Sequence, residues 1–175
     1  MNEAFEVLNT TLADLEFIYS LFDQSINYQE NKGAPVWRGY DKGVLVKDVN
    51  EGNQYKIVSG DEIAIAFSVC YTDAVIWREM EDGSAIYLHR IVVNPDFKGQ
   101  RLFGKILDWA ESRARQKGLR CIRMDTWDNN PSLINYYRGF GFSFIGRYIT
   151  PDSEALPVHN RNLPIVLLEK PLVAR

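Results

Sequence analysis

The sequence lacks the long apolar runs of a membrane protein. Its most apolar segments, Ile63–Phe67 and Ile165–Leu168, have the length of a strand, whereas a helix needs ~20 apolar residues to cross a bilayer. The start of the chain contains neither a basic segment nor a long apolar one, so no signal peptide is expected. Cysteine is scarce too. Cys70 and Cys121 lie far apart in apolar, strand-like segments, which is typical of buried thiols in a reducing compartment. A soluble, cytoplasmic protein is expected.

A large excess of charge of one sign is also missing. The net charge is −3, and 46% of the residues are hydrophobic and 13% aromatic, a composition that excludes a disordered chain. The basic residues between Arg113 and Arg123 are interpreted as the polar face of a helix rather than a nucleic-acid surface, because the chain is acidic overall. No repeat, low-complexity tract or linker divides the 175 residues. A single domain over residues 1–175 is expected, without a nucleic-acid or membrane partner.

Strands and helices alternate in the hydrophobic pattern. The segment Ala85–Val93 is β-branched and largely apolar, which predicts a strand buried on both faces; it ends before Pro95, which cannot donate to a ladder. The other predicted strands are Phe5–Leu8, Tyr55–Val58, Ile63–Cys70, Cys121–Thr126, Phe142–Tyr148 and Ile165–Glu169. The predicted helices follow Thr11 and span Lys42–Val49, Gly99–Lys117 and Pro131–Phe140. This order predicts a mixed α/β fold with strand–helix–strand units in its second half.

Two common phosphate motifs are absent, but another kind of anion site is predicted. No G-x-x-x-x-G-K-[ST] segment is present, and no G-x-G-x-x-G follows the first strand, which disfavours a P-loop and a Rossmann site. After Pro95, however, a short loop with Lys98, Gly99 and Arg101 leads directly into a helix. The first amides of a helix lack intrahelical acceptors and lie at the positive end of its dipole, and glycine lets the backbone approach a ligand. The loop indicates a phosphate site, or else an ordinary turn with solvated basic residues.

A second segment, Asp125–Phe142, strengthens the first of these interpretations. It carries Asn130, Tyr137 seven residues later, and Gly141-Phe142 four residues after that tyrosine. Together the two segments resemble the GCN5-related N-acetyltransferase superfamily. Its first hallmark, V-x-P-x-x-[RQ]-G-x-G-x-[GA]-x-x-L, corresponds to Val93, Pro95, Lys98, Gly99 and Leu102. The resemblance covers nearly the whole chain and implies the acyl-CoA N-acyltransferase fold, with a mostly antiparallel central sheet flanked by helices.

The first hallmark is incomplete in this chain. Its second and third loop glycines fall at Arg101 and Phe103. A left-handed backbone at position 101 would strain an arginine by ~1 kcal/mol or more. In an ordinary helical conformation, Arg101 would instead pair with a phosphate through its planar guanidinium. We expect the helical conformation.

The resemblance implies direct transfer of an acetyl group from acetyl-CoA to a primary amine in a ternary complex, with no acyl-enzyme and no metal. Loop amides would bind the CoA pyrophosphate, the preceding strand would lie along the pantetheine, and an amide near Val92 would polarise the thioester carbonyl. The implied cofactor-binding residues are Ile91, Val92, Val93, Lys98, Gly99, Gln100, Arg101, Leu102, Phe103, Gly104 and Asn130.

Two catalytic residues are implied. Tyr137 would be the general acid, because the ordinary pKa of a tyrosine, near ~10, lies above that of a thiol and leaves the hydroxyl protonated for the departing thiolate. A core tyrosine is the alternative. His89 is the candidate base, because its ordinary pKa is in the useful range and it lies two residues after Tyr87, which aligns with a glutamate of one branch of the family. A structural histidine with a water chain as the base is the alternative.

The acceptor and the function class stay open at this point. Aromatic and acidic residues outside the motifs would suit a cationic amine, although solvated loops and core tryptophans explain them equally well. They are Tyr28, Trp37, Trp77, Trp127, Asp73, Glu79, Glu81, Asp82 and Asp128. A non-catalytic acyl-CoA-binding or regulatory module on the same fold is the competing function, but binding alone needs no proton donor such as Tyr137. A small-molecule or peptide amine is the expected partner, and a homodimer is left open.

Overall fold

A computed structural model of the chain describes residues 4–33 and 38–173. A seven-stranded sheet with the order β1-β2-β3-β4-β5-β7-β6 forms its centre. The strands are β1 (Phe5–Asn9), β2 (Gln54–Ser59), β3 (Glu62–Cys70), β4 (Ala85–Val93), β5 (Cys121–Trp127), β6 (Ser143–Ile149) and β7 (Pro164–Pro171). The strand pattern read from the sequence is confirmed, with small differences at the ends.

The helices cover the two faces of this sheet. They are α1 (Leu15–Lys32), α2 (Lys42–Asn50), α3 (Ala74–Trp77), α4 (Leu102–Gln116) and α5 (Pro131–Arg138). A 3₁₀ turn with a capping box between Thr11 and Asp14 precedes α1, as a hydroxyl with an acidic residue three positions later predicts. The short α3 is not apparent in the sequence pattern. Among the described residues, no helix is long and apolar enough to span a bilayer.

Side chains alternate between two cores across the central strands, as the pleat requires. On one face, Ala66 and Val92 pack against α1 and α2. On the opposite face, Phe67 and Leu88 pack in a larger cluster with the apolar side of α4, which includes Ile106. The mixed α/β prediction is confirmed, and each helix is amphipathic because only one of its sides meets the sheet.

The β4–β5 pair differs from the other strand pairs. It is parallel, whereas the neighbouring strands elsewhere in the sheet run antiparallel. Its pairing covers only Ala85–Tyr87 against Cys121–Arg123. Beyond Tyr87 the strands diverge, and β5 continues to pair with β7 alone. Within residues 4–33 and 38–173, the second half of β4 therefore has a backbone edge without a strand partner on the β5 side.

A β-bulge interrupts β4 where the two strands diverge. The register with β3 shifts between Ala66 and Ser68, opposite a left-handed Arg90 with a φ of 49°. Such an extra residue bends a strand and redirects its side chains. The guanidinium of Arg90 is held by Asp48 of α2, with 2.5 Å between Nη2 and Oδ2. The bulge is therefore fixed by an ion pair.

Candidate active site

The divergence of β4 and β5 opens a cleft of about 360 Å³. Its other sides are lined by residues of α1, by Gly39–Asp41 immediately before α2, and by the loop before β7. Residues that line it include His89, Ile91 and Val93 of β4, Asp125 and Trp127 of β5, and Tyr137 of α5. The cleft thus brings together both predicted catalytic residues and part of the predicted cofactor-binding strand.

The turn before α4 presents unused backbone donors. Within the described part of the chain, the amides of Gly99, Arg101, Leu102 and Phe103 donate to no protein acceptor. Gly99 has a φ of 85°, a left-handed conformation that glycine adopts without strain. Four free amides at a helix N-terminus form a strong anion-binding arrangement. The predicted phosphate turn therefore has suitable geometry.

Two backbone amides of the predicted cofactor site are already hydrogen-bonded within the protein. The amide of Gln100 donates to the carbonyl of Phe97 at 3.3 Å, and that of Gly104 donates to the carbonyl of Arg101 at 3.0 Å. Those hydrogen bonds shape the turn and leave the two amides unavailable in this conformation. Leu102 and Phe103 are also restricted, because their side chains are buried in the core. Only their backbone amides can face a cofactor.

The expected helical conformation of Arg101 is wrong. Its backbone is left-handed, with φ 53° and ψ 38°, immediately before α4. The turn needs this conformation to enter the helix, so Arg101 has the geometry of the glycine it replaces and carries the strain. Its guanidinium lies 5.8 Å from the centre of the Phe140 ring, and its side chain is exposed beside the free amides.

Lys98 lies on the other side of the turn. Its Nζ donates to the Tyr28 hydroxyl of α1 at 3.0 Å and lies 4.4 Å from the centre of that ring. The ammonium lowers the pKa of Tyr28 through this hydrogen bond and through its charge. Lys98 and Tyr28 therefore connect α1 to the predicted phosphate turn.

The β4 residues of the predicted cofactor site have distinct surroundings. Ile91 and Val93 line the cleft, whereas the Val92 side chain is buried against α1. The Val92 side chain therefore cannot touch a ligand in the cleft, and any contribution of this residue to a thioester comes from its backbone. Asn130 caps α5, because its Oδ1 accepts from the Leu133 amide at 3.2 Å. Its side-chain oxygen is therefore already engaged.

Tyr137 combines a packed ring with a hydroxyl in the cleft. The ring centre lies 5.0 Å from that of Phe103 and 6.3 Å from that of Phe142. Burial raises the pKa of the hydroxyl well above its ordinary value, and the charge of Asp125 adds to the effect. The hydroxyl is therefore protonated at neutral pH, as a general acid requires.

His89 lies in the cleft as part of a charged cluster. Burial opposes its protonated form, but Asp73 and Cys70, and then the charge of Asp125, outweigh burial and raise its pKa to about 10. Its Nε2 lies 3.3 Å from Oδ2 of Asp73, an ion pair without the alignment of a hydrogen bond. The imidazole is therefore charged at neutral pH, a state that cannot accept a proton. The role of His89 as the base stays a prediction, and this pKa disfavours it.

Asp125 is a cleft residue to which the sequence motifs gave no role. Ligand atoms of Asp73, His89 and Asp125 lie within 4.8 Å of one another. Such a group could ligate a metal only if the imidazole lost its proton, which the ion pair opposes. Asp125 follows the buried residue Met124 near the end of a central strand. A carboxylate at that position is the signal by which the sequence could have identified it.

Most of the aromatic and acidic residues considered for the acceptor have other contacts. Trp127 lines the cleft, but Trp77 is fully buried in the core. The carboxylate of Glu81 accepts from the Tyr87 hydroxyl at 2.5 Å, and that of Asp128 accepts from Arg147 at 2.7 Å. Trp37 lies outside the described residues. The cleft is lined instead by Tyr40, Asp41 and His159, which the sequence analysis did not select.

Comparisons with known proteins agree with this geometry. The sequence profile of the acetyltransferase (GNAT) family matches residues 17–142. The uncharacterized N-acetyltransferase YesJ of Bacillus subtilis (strain 168) is 26% identical over 162 residues, which are 82% of this chain and 90% of that protein.

Solved structures share the fold. A GNAT-family acetyltransferase from Listeria monocytogenes 4b F2365 has a TM-score of 0.76 at 22% identity, over 96% of this chain and 95% of that one. The structure of yncA from Salmonella typhimurium with its cofactor acetyl-CoA has a TM-score of 0.65 at 16% identity, over 98% and 96% of the two chains. The profile match includes β4, the turn before α4 and α5, and the chain is therefore an acetyltransferase that belongs to the GNAT family.

Proposed function

We propose that this acetyltransferase transfers the acetyl group of acetyl-CoA directly to a primary amine in a ternary complex. One observation carries the proposal. Tyr137 and the unpaired edge of β4 line one cleft, and the turn with four unused amides follows shortly after β4 in the chain. A thioester sulfur, an extended pantetheine and a pyrophosphate are the groups that these three features would bind, in that order.

The cofactor is positioned mainly by backbone. The amides of Gly99, Arg101, Leu102 and Phe103 would donate to the pyrophosphate, with the side chains of Lys98 and Arg101 as counter-charges. Extended pantetheine would pair with the β4 edge along Ile91–Val93, where β5 has diverged from β4. An amide near Val92 would donate to the thioester oxygen and stabilise the negative charge that forms there in the transition state. Asn130 contributes through its amide nitrogen, since its oxygen caps α5.

Transfer then needs an acid, because the thiolate is a basic leaving group. The Tyr137 hydroxyl holds its proton firmly until the carbon–sulfur bond breaks, when the sulfur becomes the stronger base. The proposal of His89 as the base requires its imidazole to be neutral, a state that the carboxylate of Asp73 opposes. The amine itself would enter past Tyr40, Asp41 and Trp127, where aromatic faces and a carboxylate attract a cation.

The test has two arms. Acetyl-CoA is expected to raise the melting temperature of the wild type by mass action, and a Lys98→Ala/Arg101→Ala double variant should lose much of that increase. Formation of CoA thiol from acetyl-CoA is then followed over a panel of amines, amino acids, polyamines and aminoglycosides. Turnover with at least one primary amine supports the proposal. Acetyl-CoA binding without turnover on a broad panel would favour the non-catalytic binding module.

The remaining expectations are not decided by this test. A cytoplasmic location, a single domain over residues 1–175 and a homodimer stay predictions. An equal response of the wild type and the double variant to acetyl-CoA would contradict the proposed phosphate turn even if turnover is found. The two arms therefore examine the cofactor site and the reaction separately.

A further inference from the structure

Three ionisable groups meet at the wall of the cleft, where His89 and Asp125 line it and Asp73 lies behind them. Asp73 follows β3, His89 lies on β4 and Asp125 on β5. Their ligand atoms lie within 4.8 Å of one another, and the side chains of Asp73 and His89 are only 14% and 20% exposed. Like charges this close are stable only when an opposite charge lies between them. His89 supplies that charge by its ion pair with Asp73.

Asp125 is the member of this cluster with unused hydrogen-bonding capacity. It lines the cleft, and no side chain within residues 4–33 and 38–173 donates a hydrogen bond to it. Burial raises its pKa above the ordinary value, and Asp73 adds to the shift, while His89 and Arg90 oppose it. A carboxylate with a raised pKa and free lone pairs is a better proton acceptor than an exposed aspartate.

Asp125 also lies close to the proposed general acid. Its charge contributes to the raised pKa of Tyr137, and both residues line the same cleft. The two groups differ in the way that catalysis of this kind requires, because a carboxylate can accept a proton, whereas a phenol whose pKa is raised by burial keeps its own. Asp125 and Tyr137 therefore offer a proton acceptor and a proton donor in the lining of one cleft.

We propose that Asp125 is the general base of the reaction, that it takes a proton from the attacking amine, and that it returns this proton through Tyr137 to the departing thiolate. The inference rests on the proposed acetyl transfer. It replaces His89 as the base and makes His89 and Asp73 positioning residues, which hold the carboxylate and set its basicity. Because Asp125 would also accept a hydrogen bond from the amine, the lone pair of the nitrogen can face the thioester.

The protons balance in this scheme. The alkylammonium enters the cleft and loses one proton to solvent, which leaves the free amine bound there. Its nitrogen forms a bond to the thioester carbon, and an N–H proton, made acidic by the positive charge on nitrogen, passes to Asp125. The carbon–sulfur bond then breaks with its electron pair on sulfur, Tyr137 protonates the sulfur, and Asp125 reprotonates the Tyr137 oxygen. The products are an amide, CoA thiol and the one proton released at the start.

The test compares Asp125→Asn, which preserves shape, with Asp108→Asn, which makes the same change at an exposed site on α4. Asp125→Asn is expected to lower kcat by roughly 10²–10⁴-fold, while the acetyl-CoA-induced increase in melting temperature is unchanged. Asp125→Glu should recover part of the rate, because it restores a carboxylate. Asp108→Asn should leave kcat unchanged.

The pH dependence of kcat distinguishes a base from a structural residue, because a purely structural Asp125 would not determine the acid limb of the profile. The acid limb of kcat should reflect ionisation of Asp125. His89→Gln removes a positive charge that favours the carboxylate, so the acid limb should move to higher pH. His159, the other histidine of the cleft, has a pKa lowered by burial and is the competing base. His159→Gln should leave the acid limb in place.

Each result decides between named possibilities. If the wild type is active and Asp125→Asn retains its kcat and its acid limb, the inference is wrong while the proposed function stands. If His159→Gln removes the acid limb instead, His159 is the base and Asp125 is not. If the wild type binds acetyl-CoA but acetylates none of the amines, the proposed function fails first, and the role of Asp125 fails with it.

Discussion

The two ends of the β4–β5 pair differ in how completely their charged side chains are paired with other protein groups. At the paired end, Arg123 donates to Glu169 at 2.7 Å, to the Met80 carbonyl at 2.9 Å and to the Tyr87 hydroxyl at 3.1 Å. Its guanidinium carbon also lies 4.5 Å from the centre of the Trp77 ring. Tyr87 in turn donates to Glu81. Within the described residues, the ionised groups Arg123, Glu169 and Glu81 and the Tyr87 hydroxyl thus all have protein partners.

At the diverging end the charges are only partly compensated. His89 pairs with Asp73, but Asp125 keeps free lone pairs that face an open cleft. The two ends belong to the same two strands and lie a few residues apart. The comparison indicates that buried ions satisfied by protein partners stabilise the fold, whereas incompletely satisfied ions next to a cleft are available for chemistry.

The largest effect on kcat is expected for Tyr137 at the diverging end, where one substitution removes the hydroxyl and keeps the ring. Tyr137→Phe keeps the ring packed on Phe103, so the free energy of unfolding should change by less than ~1 kcal/mol. Because the hydroxyl acts mainly on the transition state, kcat should fall roughly 10²–10⁴-fold with little change in acetyl-CoA affinity. Tyr136→Phe, at an exposed tyrosine one residue earlier, is the control. Unaltered turnover in Tyr137→Phe would make it a core residue only.

At the paired end the effect should appear in stability rather than in rate. Arg123→Met leaves the partly buried Glu169, with 26% of its side chain exposed, without its main partner, which should lower the free energy of unfolding by about 3 kcal/mol. The variant is measured by urea denaturation. Arg120→Met serves as the control, because Arg120 pairs with Asp82 on the surface, with 73% of its side chain exposed, and such pairs contribute at most ~1 kcal/mol. Equal losses in both variants would contradict the comparison.

Two substitutions of Arg101, in the turn before α4, distinguish the effect of its positive charge from the effect of its backbone strain. Arg101→Gly and Arg101→Ala both remove the guanidinium, but only glycine adopts the left-handed φ without strain. Arg101→Gly should therefore be about 1 kcal/mol more stable than Arg101→Ala. Acetyl-CoA affinity, measured by calorimetry, should be reduced by a similar factor in both. A loss confined to Arg101→Ala would show that backbone geometry, and not the positive charge, matters for the cofactor.

The smallest expected effect concerns the two thiols. Cys121 is buried, and its pKa is raised by burial and by the charge of Glu169, so neither its access nor its protonation suits a nucleophile. Cys70 lies at the end of β3, close to His89 of the neighbouring β4. A Cys70→Ala/Cys121→Ala variant should fold and keep a near-normal kcat. Radiolabelled acetyl that remains on the denatured wild type at either cysteine would overturn direct transfer.

The sequence predicted local structure well because periodicity and caps are local signals. The strand Ala85–Val93 matches β4 residue for residue, and Asn130 with Pro131 marks the start of α5. The turn with free amides before α4 was also predictable, since it combines a strand end, a glycine and a helix start; phosphate binding there stays a prediction. The left-handed backbone of Arg101 was not predictable, because it depends on the direction in which the chain enters α4.

The charged cluster could not be predicted for a different reason. Asp73, His89 and Asp125 are distant in the sequence, and only the order of β3, β4 and β5 in the sheet brings them together. Periodicity places a residue on a face but does not give the neighbour across a strand pair. The sequence pattern of β4 alone therefore points to His89 and not to the carboxylate on the neighbouring β5.

The short β4–β5 pairing also has a mechanical consequence. The sheet consists of two antiparallel units, β1 to β4 and β5 with β7 and β6, which are joined edge to edge at three residue pairs. A ligand that hydrogen-bonds along the free edge of β4 and contacts α5 would connect the two units across the gap. Binding should then slow amide hydrogen exchange on both sides of the junction together. The bound ligand would in this way bridge the gap between the two units of the sheet, beyond the three residue pairs that join them.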